Sequence, residues 1–349
     1  MGIQPDHRRL DHMHCAAAVR RDELFRETPL DTLRRWALGA VWALKPGRIG
    51  GLPGVARMCV ADLIAPARDL PDPANALARP DGLCGIVHDL SVPTLVEAHR
   101  RGLYPFAHIH PLKWWSPANR CVLRFENFHI PKRLRSRLRQ NRYRVTFDRD
   151  FVGVIKACAG RRNGKWPLTW ITPKIMRAYC DLHDAGYAHS FEVWNAHGAL
   201  VGGGYGVAVG GAFTIESQFT QESHTSKIGF AMLNWHLAKW GFAINDNKGP
   251  TANTMHMGFE MVPRPVFQAW LVQARRMPDR RGRWEIETDL PAVAEWNPAE
   301  PAEAPAASAA ESLHGGRKVG ARMGAFLVPV VGVIGGERLA LAEAVCGML

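Results

Sequence analysis

The sequence predicts an α+β protein: a mixed, mainly antiparallel sheet with flanking helices, preceded by a smaller N-terminal α/β domain. Three observations predict it. Residues 190–219 hold three apolar, strand-like runs separated by Ala196-His197-Gly198 and by Gly210-Gly211, which reads as an antiparallel meander. A helical pattern over about 225–240 then leads to a short strand-like run at 242–245, the crossover of a mixed sheet. The glycine run Gly202-Gly203-Gly204-Tyr205-Gly206 leads into no GxGxxG or GK[ST] pattern, so neither a dinucleotide fold nor a phosphate loop is supported.

The elements follow in order. Residues 1–65 read as a basic helical extension. The stretch near 30–44 is either an amphipathic surface helix or a helix packed on its own domain. Pro66, Pro71, Pro73 and Pro80 punctuate the entry into a small domain over 66–150. There Ser91 can cap a helix running to about Arg101. Residues 102–117 form an aromatic loop with Tyr104, Phe106, Trp114 and Trp115. A strand over 121–125, a helix over 131–140 opened by Pro131, a strand over 143–147 and a helix over 151–158 come next. The main domain, 151–290, adds a helix over 173–185 with Ile175, Met176, Tyr179 and Leu182 at helical spacing. After the meander and crossover come a short helix near 250–257 and a last strand and helix over 259–275. The segment 291–349 contains a Pro-, Ala- and Glu-rich run at 298–312 and reads as a low-complexity, disordered tail.

Composition narrows the function. The chain has 349 residues, 47% apolar and 22% charged, enough for one large or two small domains. Its formal charge of +12 and isoelectric point near 9.7 favour a polyanionic partner, nucleic acid before membrane. Seven cysteines are scattered without a CxxC pair. That argues against a disulfide scaffold and a cysteine zinc site, and for a reducing cytoplasm. No apolar run reaches the roughly 20 residues of a spanning helix, and the start lacks the apolar core of a secretory signal. Neither a membrane partner nor a metal is expected.

Three constellations carry chemistry. Lys132, Arg133, Arg135, Arg137, Arg139, Arg142 and Arg144 lie within thirteen residues with no acid among them. Spaced guanidinium groups suit phosphates; the alternative is a solvated charged face. The aromatics Tyr104, Phe106, Trp114, Trp115, Trp166 and Trp170 offer surfaces for a stacked base, or core packing. Glu216 sits between Phe213, Ile215 and Phe219, where a carboxylate is costly unless paired or used. With Asp246 it forms a two-carboxylate set that a transferase acting on an amine can use to hold a cation and to remove a proton. Asp246 can equally be a helix N-cap before Pro250-Thr251. His108 and His110 lack a third metal ligand at suitable spacing.

Ten segments in register then resemble the leucyl/phenylalanyl-tRNA–protein transferases. They include Arg101-Gly102-Leu103-Tyr104-Pro105-Phe106, Trp114-Trp115-Ser116-Pro117, Thr169-Trp170-Ile171-Thr172, Ala188-His189-Ser190-Phe191-Glu192-Val193-Trp194 and Glu216-Ser217-Gln218-Phe219. The resemblance spans about residues 82–271. It implies a GNAT-like acyltransferase domain that moves an amino acid from aminoacyl-tRNA to the α-amine of a protein beginning with a basic residue. The new N-terminus marks that protein for degradation. The tRNA supplies the activated carboxyl, so no cofactor is implied. Asp246 matches the catalytic aspartate. Trp170 and Phe106 match aromatics at the terminal adenosine. Glu216, Phe213, Gln218, Gly204 and Leu233 fall at the aminoacyl pocket, and the basic cluster meets the tRNA backbone.

Two departures stand out. Lys248 replaces a glutamine two residues beyond the catalytic aspartate. A charged lysine cannot accept a hydrogen bond, so a relay through it changes, and its charge opposes a cationic acceptor. Gly204 and Gln218 replace methionines, which implies a roomier, more polar pocket. Two alternatives remain: an acyl-CoA-dependent N-acyltransferase, against which stands the missing [RQ]xxGx[GA] loop before the 225–240 helix, and a non-catalytic tRNA-binding relative.

Overall fold

The computed structural model describes residues 21, 25–108, 110–160 and 168–298. Two sheets organise them. The small sheet has the order β1-β3-β2, from β1 (Leu83–Ile86), β2 (Tyr104–Phe106) and β3 (Lys113–Trp115). The large sheet has the order β10-β4-β9-β8-β7-β6-β5. Its strands are β4 (Asn119–Leu123), β5 (Arg144–Phe147), β6 (Ala188–Trp194), β7 (Leu200–Val209), β8 (Ala212–Thr220), β9 (Ile244–Asp246) and β10 (Glu260–Pro263). All its pairs are antiparallel except β8 with β9. Helix Thr225–Lys239 makes that parallel crossover. The meander and crossover are as the sequence predicts. Gly198 and Gly210, both at positive φ, make the two turns that link its strands.

The sheet separates two apolar layers, as alternation along a strand requires. Tyr205, Val207 and Val209 of β7 face a layer with helices Val92–Arg100, Phe151–Ala159 and Pro173–Asp184. Phe191 and Val193 of β6, Ala208 of β7 and Phe213 of β8 face the opposite layer, under Thr225–Lys239. Helix Pro173–Asp184 starts cleanly because Thr172 accepts from the Ile175 N–H and Pro173 fills the first turn.

Several expectations shift. The aromatic loop at 102–117 contains β2 and β3, whose residues Tyr104, Phe106, Trp114 and Trp115 are buried. Trp115 donates its indole N–H to the Phe106 carbonyl, and the Trp114 and Trp115 rings pack within the first apolar layer. Ser91 occupies the N-cap position, but its hydroxyl bonds Asp89 and Thr94 instead of the helix backbone. β4 and β5 join the large sheet, so the expected boundary at 150 runs through that sheet. Helix Leu290–Glu295 buries Leu290, Val293 and Ala294, so order continues past the expected start of the tail at 291. Residues 299–349, residues 1–20 and Trp166 lie outside the described residues.

Candidate active site

Asp246 ends β9, where β9 lies between β4 and β8 and pairs Val122 on one side and Thr214 on the other. Its carboxylate accepts a bidentate pair from Arg120 of β4: Nε to Oδ1 at 2.8 Å and Nη2 to Oδ2 at 2.7 Å. Oδ1 also accepts the Lys248 backbone N–H at 2.8 Å. Arg120 donates further to the Gly102 carbonyl at 3.1 Å, and its guanidinium lies between the Tyr104 and Phe267 rings. Both partners are almost fully buried. Asp246 is not a helix cap: the 250s helix, Ala252–His256, is capped by Thr251.

Glu216 stands at a break in register. Tyr205 pairs Ser217 but Gly206 pairs Ile215, so Glu216 is the extra residue of a β-bulge, a device that re-aims a side chain. Its carboxylate meets Lys248 Nζ at 2.6 Å and His99 Nε2 at 3.0 Å. His99 is held from its other nitrogen by the Leu95 carbonyl. Burial pushes the Glu216 carboxyl up, but the Lys248 charge and the His99 bond outweigh it and hold it at about 2. Tyr179 faces the same carboxylate; burial, then that charge, push its phenol well above the ordinary range. Lys248 has φ of 61°, which swings its ammonium over the Tyr104 and Trp170 rings at 5.1 and 5.6 Å.

The site therefore contains two buried ion pairs joined through the 246–248 turn. Asp246, Glu216, Lys248, Trp170 and Phe106 come together; the Trp170 and Phe106 ring centroids are 5.7 Å apart. Tyr104, one of the aromatics named from the sequence, lies with them, and Arg120 and His99 join unforeseen. Nothing local marks Arg120 or His99, since their partners lie 126 and 117 residues away.

The rest of the expected pocket lies elsewhere. Phe213 and Leu233 sit in the opposite apolar layer. Gly204 does not leave a space there. A Cβ at 204 would come within 2.8 Å of the Phe191 ring and 2.7 Å of the Gln218 side chain. The glycine admits Phe191 rather than a larger ligand. Gly204→Ala is accordingly expected to lose about 1–3 kcal/mol of stability, read as a lowered urea midpoint; an unchanged midpoint would mean that the Phe191 ring is free to give way.

The basic cluster divides too. Arg139 pairs with Glu295 at 2.7 Å, and Arg135 donates to the Ala294 carbonyl. The acid missing from the local sequence arrives 156 residues later. Lys132, Arg133, Arg137, Arg142 and Arg144 are exposed. Arg142, Tyr143, Arg144 and Trp194 line one groove. His108 packs against Trp42 and Phe106, and burial, then Arg48, bring it down to about 4. Among the described residues, no three His, Cys, Asp or Glu side chains are grouped to hold a metal.

Comparison with known proteins places the chain in a family. A family model described as leucyl/phenylalanyl-tRNA protein transferase matches residues 122–272, and one for its N-terminal domain matches 88–118. Curated relatives named leucyl/phenylalanyl-tRNA–protein transferase include one from Alkalilimnicola ehrlichii, 43% identical over 230 residues, 66% of this chain and 89% of the relative. One from Azotobacter vinelandii is 41% identical over 223 residues, 64% of this chain and 92% of the relative. Among solved structures, FemX overlaps with a TM-score of 0.33 at 12% identity, covering 44% of this chain and 64% of that one. The chain belongs to the leucyl/phenylalanyl-tRNA–protein transferase family.

Proposed function

We propose that this protein moves an amino acid of the leucine or phenylalanine type from aminoacyl-tRNA to the N-terminal α-amine of proteins beginning with Arg or Lys, marking them for degradation in the cytoplasm. The observation that carries the reading is the juxtaposition of Asp246 and the Glu216–Lys248 pair with Trp170 and Phe106 in a member of this family. The reaction is aminolysis of an ester. The acceptor nitrogen bonds to the aminoacyl carbonyl carbon and sheds a proton. The ester C–O bond breaks, and the departing ribose oxygen of the terminal adenosine takes a proton. The aminoacyl ester is already an activated acyl donor whose cleavage drives amide formation, so the reading needs no cofactor.

Asp246, fixed by the Arg120 fork, orients the attacking amine. Trp170 and Phe106 hold the adenosine, with Glu216 shaping the space beside them. The exposed Lys132, Arg133, Arg137, Arg142 and Arg144 contact the tRNA backbone. The pairing of Lys248 with Glu216 bears on the acceptor. At 2.6 Å the carboxylate offsets the ammonium, so the lysine's field against a cationic peptide is weakened. The test is incubation with charged tRNAs and peptides beginning with Arg, Lys or neutral residues. Transfer to the basic peptides is expected. Absence of transfer from tRNAs charged with any of the twenty amino acids overturns the reading, and tight tRNA binding without turnover would identify a non-catalytic relative.

A further inference from the structure

The N-terminal helices precede the family-matched residues, which begin at 88. Helix Pro29–Ala43 packs one face inward: Gly39 and Ala43 are buried, and Trp42 lies edge-on to His108. Its opposite face is apolar where a solvated helix is polar. Leu30, Leu33, Val41 and Leu44, the last at the C-cap, are 54–74% exposed. Their spacing of 3, 11 and 14 from Leu30 keeps them in one stripe at 3.6 residues per turn. Helix Leu52–Ile64 repeats the arrangement. Val55 and Met58 pack on the core, while Val60, Leu63 and Ile64 on the other side are 56–81% exposed. The inner faces pack on the protein, and the outer stripes stand exposed beside the described residues.

Charge identifies what the stripes meet. Residues 29–64 contain Arg34, Arg35, Lys45, Arg48 and Arg57 against Asp31 and Asp62, a formal +3 within a chain of +12. Arg34, Lys45 and Arg57 are exposed. Two such faces repel one another, which disfavours a second copy. RNA suits the charge but not the aliphatic stripes. An anionic lipid surface suits both: apolar side chains enter the acyl boundary while flanking basic groups stay at the headgroups. No described helix is long and apolar enough to cross a membrane, so the contact is in-plane. We infer that the outer faces of helices Pro29–Ala43 and Leu52–Ile64 dock on an anionic membrane surface. This departs from the expectation of no membrane partner and is independent of the transfer reaction.

Flotation of the full chain with lipid vesicles tests it. Vesicles containing phosphatidylglycerol are expected to carry the protein at low salt, and pure phosphatidylcholine vesicles to leave it behind. The triple variant L33E/V41E/L63E changes exposed positions only. It should lower the floated fraction about tenfold with unchanged circular dichroism and unchanged tRNA binding on filters. No flotation with phosphatidylglycerol overturns the inference, as does flotation that the triple variant leaves intact. Equal loss of vesicle and tRNA binding would assign the face to RNA. A dimer abolished by the triple variant, without vesicle binding, would assign it to a second copy; either assignment overturns the membrane.

Discussion

Asp246→Ala is expected to lose about 3–5 kcal/mol of stability along with transfer activity. The reason is Arg120, which is buried and has its fork filled by that one carboxylate. Removing the acid strands a guanidinium between the Tyr104 and Phe267 rings. Loss of activity in this variant alone therefore cannot separate chemistry from folding. Arg120→Met with Asp246→Leu separates them. A buried ion pair replaced by apolar groups of similar volume is often neutral or stabilising, so the double variant should recover most of the urea midpoint while remaining inactive. Two results would contradict this account: a wild-type midpoint for Asp246→Ala, or transfer by the refolded double variant.

Lys248→Met is expected to be destabilised most at neutral pH and least in acid. In the wild type, Glu216 is held at about 2, against an ordinary value of 4.5. A depressed carboxyl contributes stability that is present above the unfolded pKa and lost as pH falls toward the folded one. The span corresponds to roughly 3 kcal/mol. Without Lys248, burial loses its largest opponent, and the carboxyl rises. At pH 7 the variant then buries a poorly compensated charge and loses about 3 kcal/mol. As the pH falls, Glu216 takes a proton in the variant before it does in the wild type, and the gap narrows. Urea melts of both proteins from pH 7 down to pH 4 read this directly. A gap that stays constant or widens in acid would mean that the Glu216–Lys248 pair does not set the stability. Lys248→Gln, placing a neutral hydrogen-bonding group beside Asp246, gives a companion measurement of how the transfer rate responds.

Local patterns reached the site unevenly. The meander, the crossover helix and Pro173–Asp184 follow from periodicity and turn residues, which are properties of neighbouring positions. Glu216 is legible because a carboxylate among Phe213, Ile215 and Phe219 contradicts its surroundings. β2 and β3 are not, since each has only three residues and β2 contains Pro105; so short a run shows no alternation. Arg120 and His99 are illegible for another reason. Each is an ordinary residue at the edge of an apolar run until the sheet brings its acid beside it. The sidedness of Phe213 and Leu233 depends on which layer a strand face meets, and a bulge makes simple counting along β8 fail at Glu216.

That bulge also bears on how the chain finds its pairing. β7 carries Gly202, Gly203, Gly204 and Gly206, and glycine-rich strands specify their register weakly and are prone to slip. A slip by one residue past β8 would turn Glu216 to the opposite face of the sheet, burying an anion away from Lys248 and His99. Such a misaligned hairpin carries a desolvated charge with no counter-ion, whereas the correct alignment neutralises it. The ion cluster thus favours the observed alignment over a slipped one. Neutralising Glu216 removes a group of the finished site and also relaxes the proofreading of the strand that faces it.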